Sequence, residues 1–133
     1  LTNSSEDVVD MGIYAGITQQ MYIKAKDSSG NSESSIYLNT NRVSASCPSS
    51  AAFFTSNRNS SSSLELYKNS SLIASTSSSG GSTTNNNIYF LSANSGGSPS
   101  DSSPRSYNFF CVGKGITSIS DFNSDVSSLL SNI

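Results

Sequence analysis

LELYKNSSLIAS, residues 64–75, reads as two short strands folded back on each other through Asn69-Ser70. Leu64 and Leu66 share one side of the first strand and Glu65 the other, the period of two that a half-buried strand requires. Two-residue hairpin loops need positive φ at their central positions, where glycine is best and asparagine is tolerated. Asn69 suits such a turn and Ser70 suits it less well. Glu65, facing away from both leucines, is expected in solvent.

The same reading extends along the chain. Short β-rich runs separated by Ser/Asn/Gly clusters predict further strands at 8–14, 20–26, 34–39, 51–56, 63–68, 71–76, 87–93 and 106–113. In the run Gln20 to Lys26, alternation puts Met21, Ile23 and Ala25 on one face. Gln20, Tyr22, Lys24 and Lys26 fall on the other. Residues 75–87 and 94–105 are rich in Ser, Thr, Gly and Asn, and are expected as exposed loops. After 117 the period changes. Ser118 to Asp121 is a loose capping box, and Phe122, Val126, Leu129, Leu130 and Ile133 recur at helical spacing. A short amphipathic helix is expected there, a frayed tail being the alternative. The fold class is therefore all-β, an antiparallel sandwich or barrel closed by a C-terminal helix, in one domain spanning 1–133.

Composition agrees with a folded β-domain. The 133 residues include 36 Ser and 14 Asn, 12% are charged, and the net charge is −2. Disorder calls for high net charge as well as few apolar residues, and here Tyr, Phe, Ile, Leu and Val come in bunches. Seven scattered Lys and Arg give no electrostatic footprint for nucleic acid. No run approaches the ~20 apolar residues of a membrane span. The chain has no initiator Met and no basic-then-apolar leader, so a processed product or a piece of a longer polypeptide is expected. Cys47 and Cys111 each sit near a phenylalanine pair. They read as two small buried hydrophobes, or as one disulfide.

Catalysis finds little to use. Histidine is absent, which removes the usual general base and the commonest metal ligand. The carboxylates Glu6, Asp7, Asp10, Asp27, Glu33, Glu65, Asp101, Asp121 and Asp125 read as strand, loop or helix-surface groups rather than a hydrolytic pair. Glu6-Asp7-x-x-Asp10 is the densest acidic group. A solvated start to a strand explains it better than a calcium site. Gly113-Lys114-Gly115 lacks the Walker spacing. The sequons at Asn3, Asn59 and Asn69 are no more than a chain this rich in Asn and Ser produces by chance. No catalytic, metal or cofactor residue is assigned. Tyr14, Tyr37, Tyr89 and Tyr107 could stack on sugars, but tyrosine is also an ordinary strand residue.

Several segments together resemble a known family. Asp10-Met11-Gly12 is followed by Phe53-Phe54-Thr55-Ser56-Asn57-Arg58 and by the hairpin at 66–73. Then come Asn87-Ile88-Tyr89-Phe90-Leu91, Arg105 and the run from Phe109 to Thr117. The order is similar to the carboxy-terminal part of concanavalin A-like, laminin-G-like jelly-roll domains of phage virion proteins, especially tail and fibre components. The resemblance implies a lectin-like sandwich, with Asn57, Arg58 and Arg105 tying loops to the sheet. Ser70 replaces the usual turn glycine, and Leu91-Ser92 the usual Gly-Ala. Family members carry further strands ahead of the region matching Asp10, so the domain is expected to be incomplete at its N-terminal side. An upstream segment or other virion subunits would then cover open edges. The implied role is a non-catalytic structural or adhesion module of a virion, in a homo-oligomer with a trimer favoured. The alternative is a module recognising host-surface glycans.

Overall fold

Strand alternation prevails even where serine dominates the sequence. The computed structural model describes residues 7–16, 19–37 and 42–132. Among them ten strands precede one helix. β1 (Met11–Tyr14), β2 (Gln20–Lys24), β3 (Asn31–Ile36) and β4 (Val43–Ser46) form an antiparallel meander. β5 (Phe54–Ser60), β6 (Ser63–Lys68) and β7 (Ser71–Thr76) form a second, antiparallel sheet. The chain then returns to the first sheet. β8 (Tyr89–Phe90) pairs with β1 through Met11 and Phe90, β9 (Ala93–Ser95) runs parallel to β1, and β10 (Ser98–Ser100) folds back on β9. The expected all-β sandwich with a C-terminal helix is what forms. β1 and β9 are its one parallel pair among the described strands, and the whole second sheet lies between them in sequence.

The core lies between the sheets. Ile23 and Val43 from one side meet Leu64 and Leu66 from the other, flanked by Met11, Ile36, Phe54, Ile73 and Ala74. Ser32, Ser34 and Ser35 of β3 are fully buried. Two of their hydroxyls donate back to the neighbouring strand, Ser32 to the Lys24 carbonyl and Ser34 to the Tyr22 carbonyl. Ser34 also bonds Ser56 across the sheets. Such side chains let the layers approach while leaving few polar atoms unpaired.

Several boundaries move. The strand expected at 51–56 lies at Phe54–Ser60, and the one expected from Ser34 already starts at Asn31. β4 was not anticipated, and β10 with all of β9 but its first residue, Ala93, falls within the expected loop 94–105. The hairpin of β6 and β7 stands as read, with Lys68 opposite Ser71 and Asn69 at φ 54°. Residues 106–113, expected as a strand, form none. Gln20 and Tyr22, on the face opposite Met21 and Ile23, are buried too, and Tyr22 packs there with Val9 and Ala93. Glu65 is half-buried rather than solvated. Both cysteines are free, Cys47 buried as expected and Cys111 exposed.

Ser118 caps α1 (Ile119–Leu130), its hydroxyl accepting from the Asp121 amide. Phe122 packs on Phe53, and the Asn123 side chain reaches the Asn69 carbonyl and the Ser70 hydroxyl. Leu129 stays exposed, so the apolar stripe is only partly covered. Ile133 and Glu6 lie outside the described residues.

Tyr22 yields a test of this packing. Burial, reinforced by the Glu33 carboxylate, pushes its phenol from 10.0 up to about 12. The folded state therefore holds the neutral phenol more tightly than the unfolded chain does. That stability is complete below pH 10 and is lost as pH rises through 12, on the order of 2 kcal/mol. Urea unfolding from pH 9 to 12 should show the decline, and Tyr22→Phe should flatten it. A residual slope will come from Tyr107, whose phenol burial and the Asp10 carboxylate also push up. An identical slope in Tyr22→Phe would contradict the assignment.

Candidate functional site

Two features stand out where the sheets and the C-terminal segment meet. The first is a buried clasp. Asp10, just before β1, is only 2% exposed, and Arg105, 95 residues later, only 3%. Arg105 Nη1 donates to both Asp10 oxygens at 2.8 and 3.0 Å. Ser103 Oγ and the Ala25 amide each donate to the same carboxylate at 2.6 Å. Arg105 also reaches the Lys26 carbonyl. The carboxylate thus accepts four hydrogen bonds from three donor groups, and the clasp ties the C-terminal segment to β1 and to the end of β2.

The second feature is a slot. A cavity of about 180 Å³ lies between Met11, Met21, Ile23 and Ala25 on the first sheet and residues 52–58, with residues 107–116 closing its side. β5 pairs only with β6, so its other side faces this space. The slot is pinched at both ends. At one, Asn57 accepts from the Ile116 amide at 2.8 Å and donates to its carbonyl at 2.9 Å. Gly115 fits there because it lacks a Cβ, which would lie 2.8 Å from the Arg58 carbonyl oxygen. At the other, the Phe53 and Phe109 rings are 6.1 Å apart. Phe110 stacks between Phe90 and Tyr107 beyond it.

The remaining charges serve the framework. Lys24 bridges the exposed Asp7 at 2.5 Å and lies 3.9 Å from the buried Glu33, which Arg42 meets at 2.8 Å. Burial pushes the Glu33 carboxyl up, and the two cations pull it back. Burial also acts upward on Asp27, but hydrogen bonds, chiefly from the Asn31 amide, outweigh it and hold the carboxyl low. Glu65 accepts from Tyr67 at 3.0 Å and from Asn57 at 3.4 Å. Arg58 donates to the carbonyls of Ile36 and Ser61.

The candidates read from sequence scatter. Asp7 and Asp10 engage different partners, Lys24 and Arg105, so they do not converge as a cation site. Among the described residues no group of three His, Cys, Asp or Glu side chains is arranged to hold a metal. Tyr14 is 50% exposed at the end of β1. The Tyr89 hydroxyl is spent on the Gly97 carbonyl at 2.8 Å, and Tyr107 lines the slot. Ser103 and Ala25, which complete the clasp, carried no signal in the sequence, since neither a serine in a Ser-Pro loop nor an alanine after a strand is distinctive. Among the described residues no helix is long and apolar enough to cross a membrane.

The fold defines a class, an all-β sandwich closed by one C-terminal helix. Comparison of the chain with protein-family models, curated proteins and solved structures finds no match.

Proposed function

We propose that the chain is a non-catalytic structural or adhesion module of a phage virion, from a tail fibre or another exposed appendage, working in a homo-oligomer. The observation that carries this reading is the use made of its buried ionic groups. Asp10 and Arg105 hold each other across 95 residues, and Glu33 is held by Arg42. Such charges fix loops to sheets, whereas glycoside hydrolysis needs two carboxyls facing each other about 5–9.5 Å apart across a cleft. The resemblance of the ordered segments to virion jelly rolls supplies the setting, and fold likeness alone would be a weak guide to function.

Sedimentation of the purified chain, with an assay for reducing ends released from bacterial surface polysaccharides, tests the proposal. A β-rich trimer that releases no sugar is the expected result. Steady release of reducing ends, abolished by Glu33→Gln or Glu65→Gln, would overturn it. A second reading, glycan recognition, rests on Tyr14, whose exposed ring could stack on a sugar face. Glycan-array binding by a monomer, lost in Tyr14→Ala, would favour that reading instead.

A further inference from the structure

We infer that residues 106–132 form a detachable strap: beyond Arg105 the chain releases from the sandwich as one unit while both sheets stay folded. The inference goes beyond the assembly reading and does not depend on it.

The root of the strap is fixed and its length is not. Arg105 is 3% exposed and holds Asp10, so the chain up to that point belongs to the sandwich. Beyond it, among the described residues, the backbone from Ser106 to Thr117 makes no hydrogen bond to another backbone group. Its tie to the sheet is a side chain, Asn57, which pairs with the amide and the carbonyl of Ile116. Cys111 to Gly115 are exposed throughout.

The helix at the far end is held as lightly. Of its side chains only Ile119, Asn123 and Val126 are buried, and Asn123 reaches the hairpin turn at Asn69 and Ser70. By contrast β6 is bonded to β5 on one side and to β7 on the other, and its Leu64 and Leu66 are 0% exposed. Segments with exposed backbone and few buried apolar contacts open before core strands do. Phe53 couples the two halves of the strap, for its ring packs on Phe109 at 6.1 Å and on Phe122 at 5.9 Å. A twelve-residue helix is marginal by itself in water, so α1 melts once these contacts are lost. Release then bares Phe53 and Asn57 on an otherwise intact sheet.

Native-state hydrogen–deuterium exchange on the full chain in a urea series tests this. The hydrogen-bonded amides of α1 should exchange as one group, about a hundredfold or more faster than those of β6 and with a weaker urea dependence. Gly115→Ala separates release of the strap from fraying of the helix. A Cβ there would lie 2.7 Å from the Asn59 Cα and 2.8 Å from the Arg58 carbonyl oxygen, so the strap must lift at that point. The variant should speed α1 exchange roughly tenfold or more and leave β6 exchange unchanged. Val126→Cys in a Cys111→Ser background gives a second readout, since Val126 is 6% exposed. Its thiol should react with an aromatic disulfide reagent at a rate that Gly115→Ala raises by the same factor.

Equal exchange rates and urea dependences for α1 and β6 would overturn the proposal, because strap and sandwich would then unfold together. Acceleration of both by Gly115→Ala would do the same. Exchange of α1 that ignores Gly115→Ala would mean that the helix frays alone, and that too rejects release as a unit.

Discussion

Arg105→Ala is expected to lower the unfolding free energy by about 3–5 kcal/mol. The reason is what remains behind. Asp10 would keep its bonds from Ser103 and the Ala25 amide but lose its counter-charge in a site only 2% exposed. Desolvation of an unpaired carboxylate then opposes folding. Against a total of about 7–20 kcal/mol for a domain of this length, such a loss leaves a marginal or unfolded chain. Asp10→Asn should cost a similar amount by stranding the guanidinium. The double variant Asp10→Asn with Arg105→Met should lose less than the sum of the singles, because neither charge is then left alone.

Arg105→Lys should recover only part of the loss. An ammonium cannot hold both carboxylate oxygens and the Lys26 carbonyl with one planar fork. Asp7→Ala gives the contrast. Asp7 is 66% exposed in its pair with Lys24, and exposed pairs contribute no more than about 1 kcal/mol. Urea midpoints for the five variants measure all of this. A loss in Arg105→Ala no larger than that in Asp7→Ala would mean that the clasp is not closed in solution.

Legibility in the sequence followed the range of the interactions. The β6–β7 hairpin was readable because its alternation and its turn residue are local, and Asn69 does sit at positive φ. The helix was readable from its cap and its spacing. β3 was half-hidden, because its inward positions are serines that a hydropathy pattern scores as surface, although hydrogen bonds to the neighbouring strand allow them inside. β9 and β10 carry a Gly96-Gly97 turn, a strong hairpin signal, but flanks of Ser, Asn and Pro offered no apolar run to mark them as strands.

Residues 106–113 erred the other way. Side-chain pattern reports fitness for a strand, while strand formation also needs a partner edge, and here none is supplied within the described chain. The clasp was legible in part. Arg105 drew notice through the resemblance, but its pairing with Asp10 spans 95 residues and leaves no periodic trace.

Leu66→Ala is expected to cost about 4 kcal/mol, in the upper half of the 2–5 kcal/mol range for such truncations. Where a given site falls in that range depends on how far its neighbours can collapse into the space vacated. Leu66 is 0% exposed in the cluster with Ile23, Val43 and Leu64, and Phe54 packs against that cluster. Ile23 and Phe54 also line the existing cavity, so the vacated volume would join a space that the chain already fails to close. Collapse is resisted on both sides, by the β-ladders and by the Ser34–Ser56 bond between the sheets. Leu72 is the control. Half of its surface is in water, and Leu72→Ala should stay within about 0.5 kcal/mol of the parent. A loss near 2 kcal/mol for Leu66→Ala would mean that the sheets can move together and close the space between them. Equilibrium unfolding of these two variants therefore reports on the spacing of the sheets as well as on the core, because the rigidity that makes the truncation costly is the same rigidity that keeps the cavity from closing.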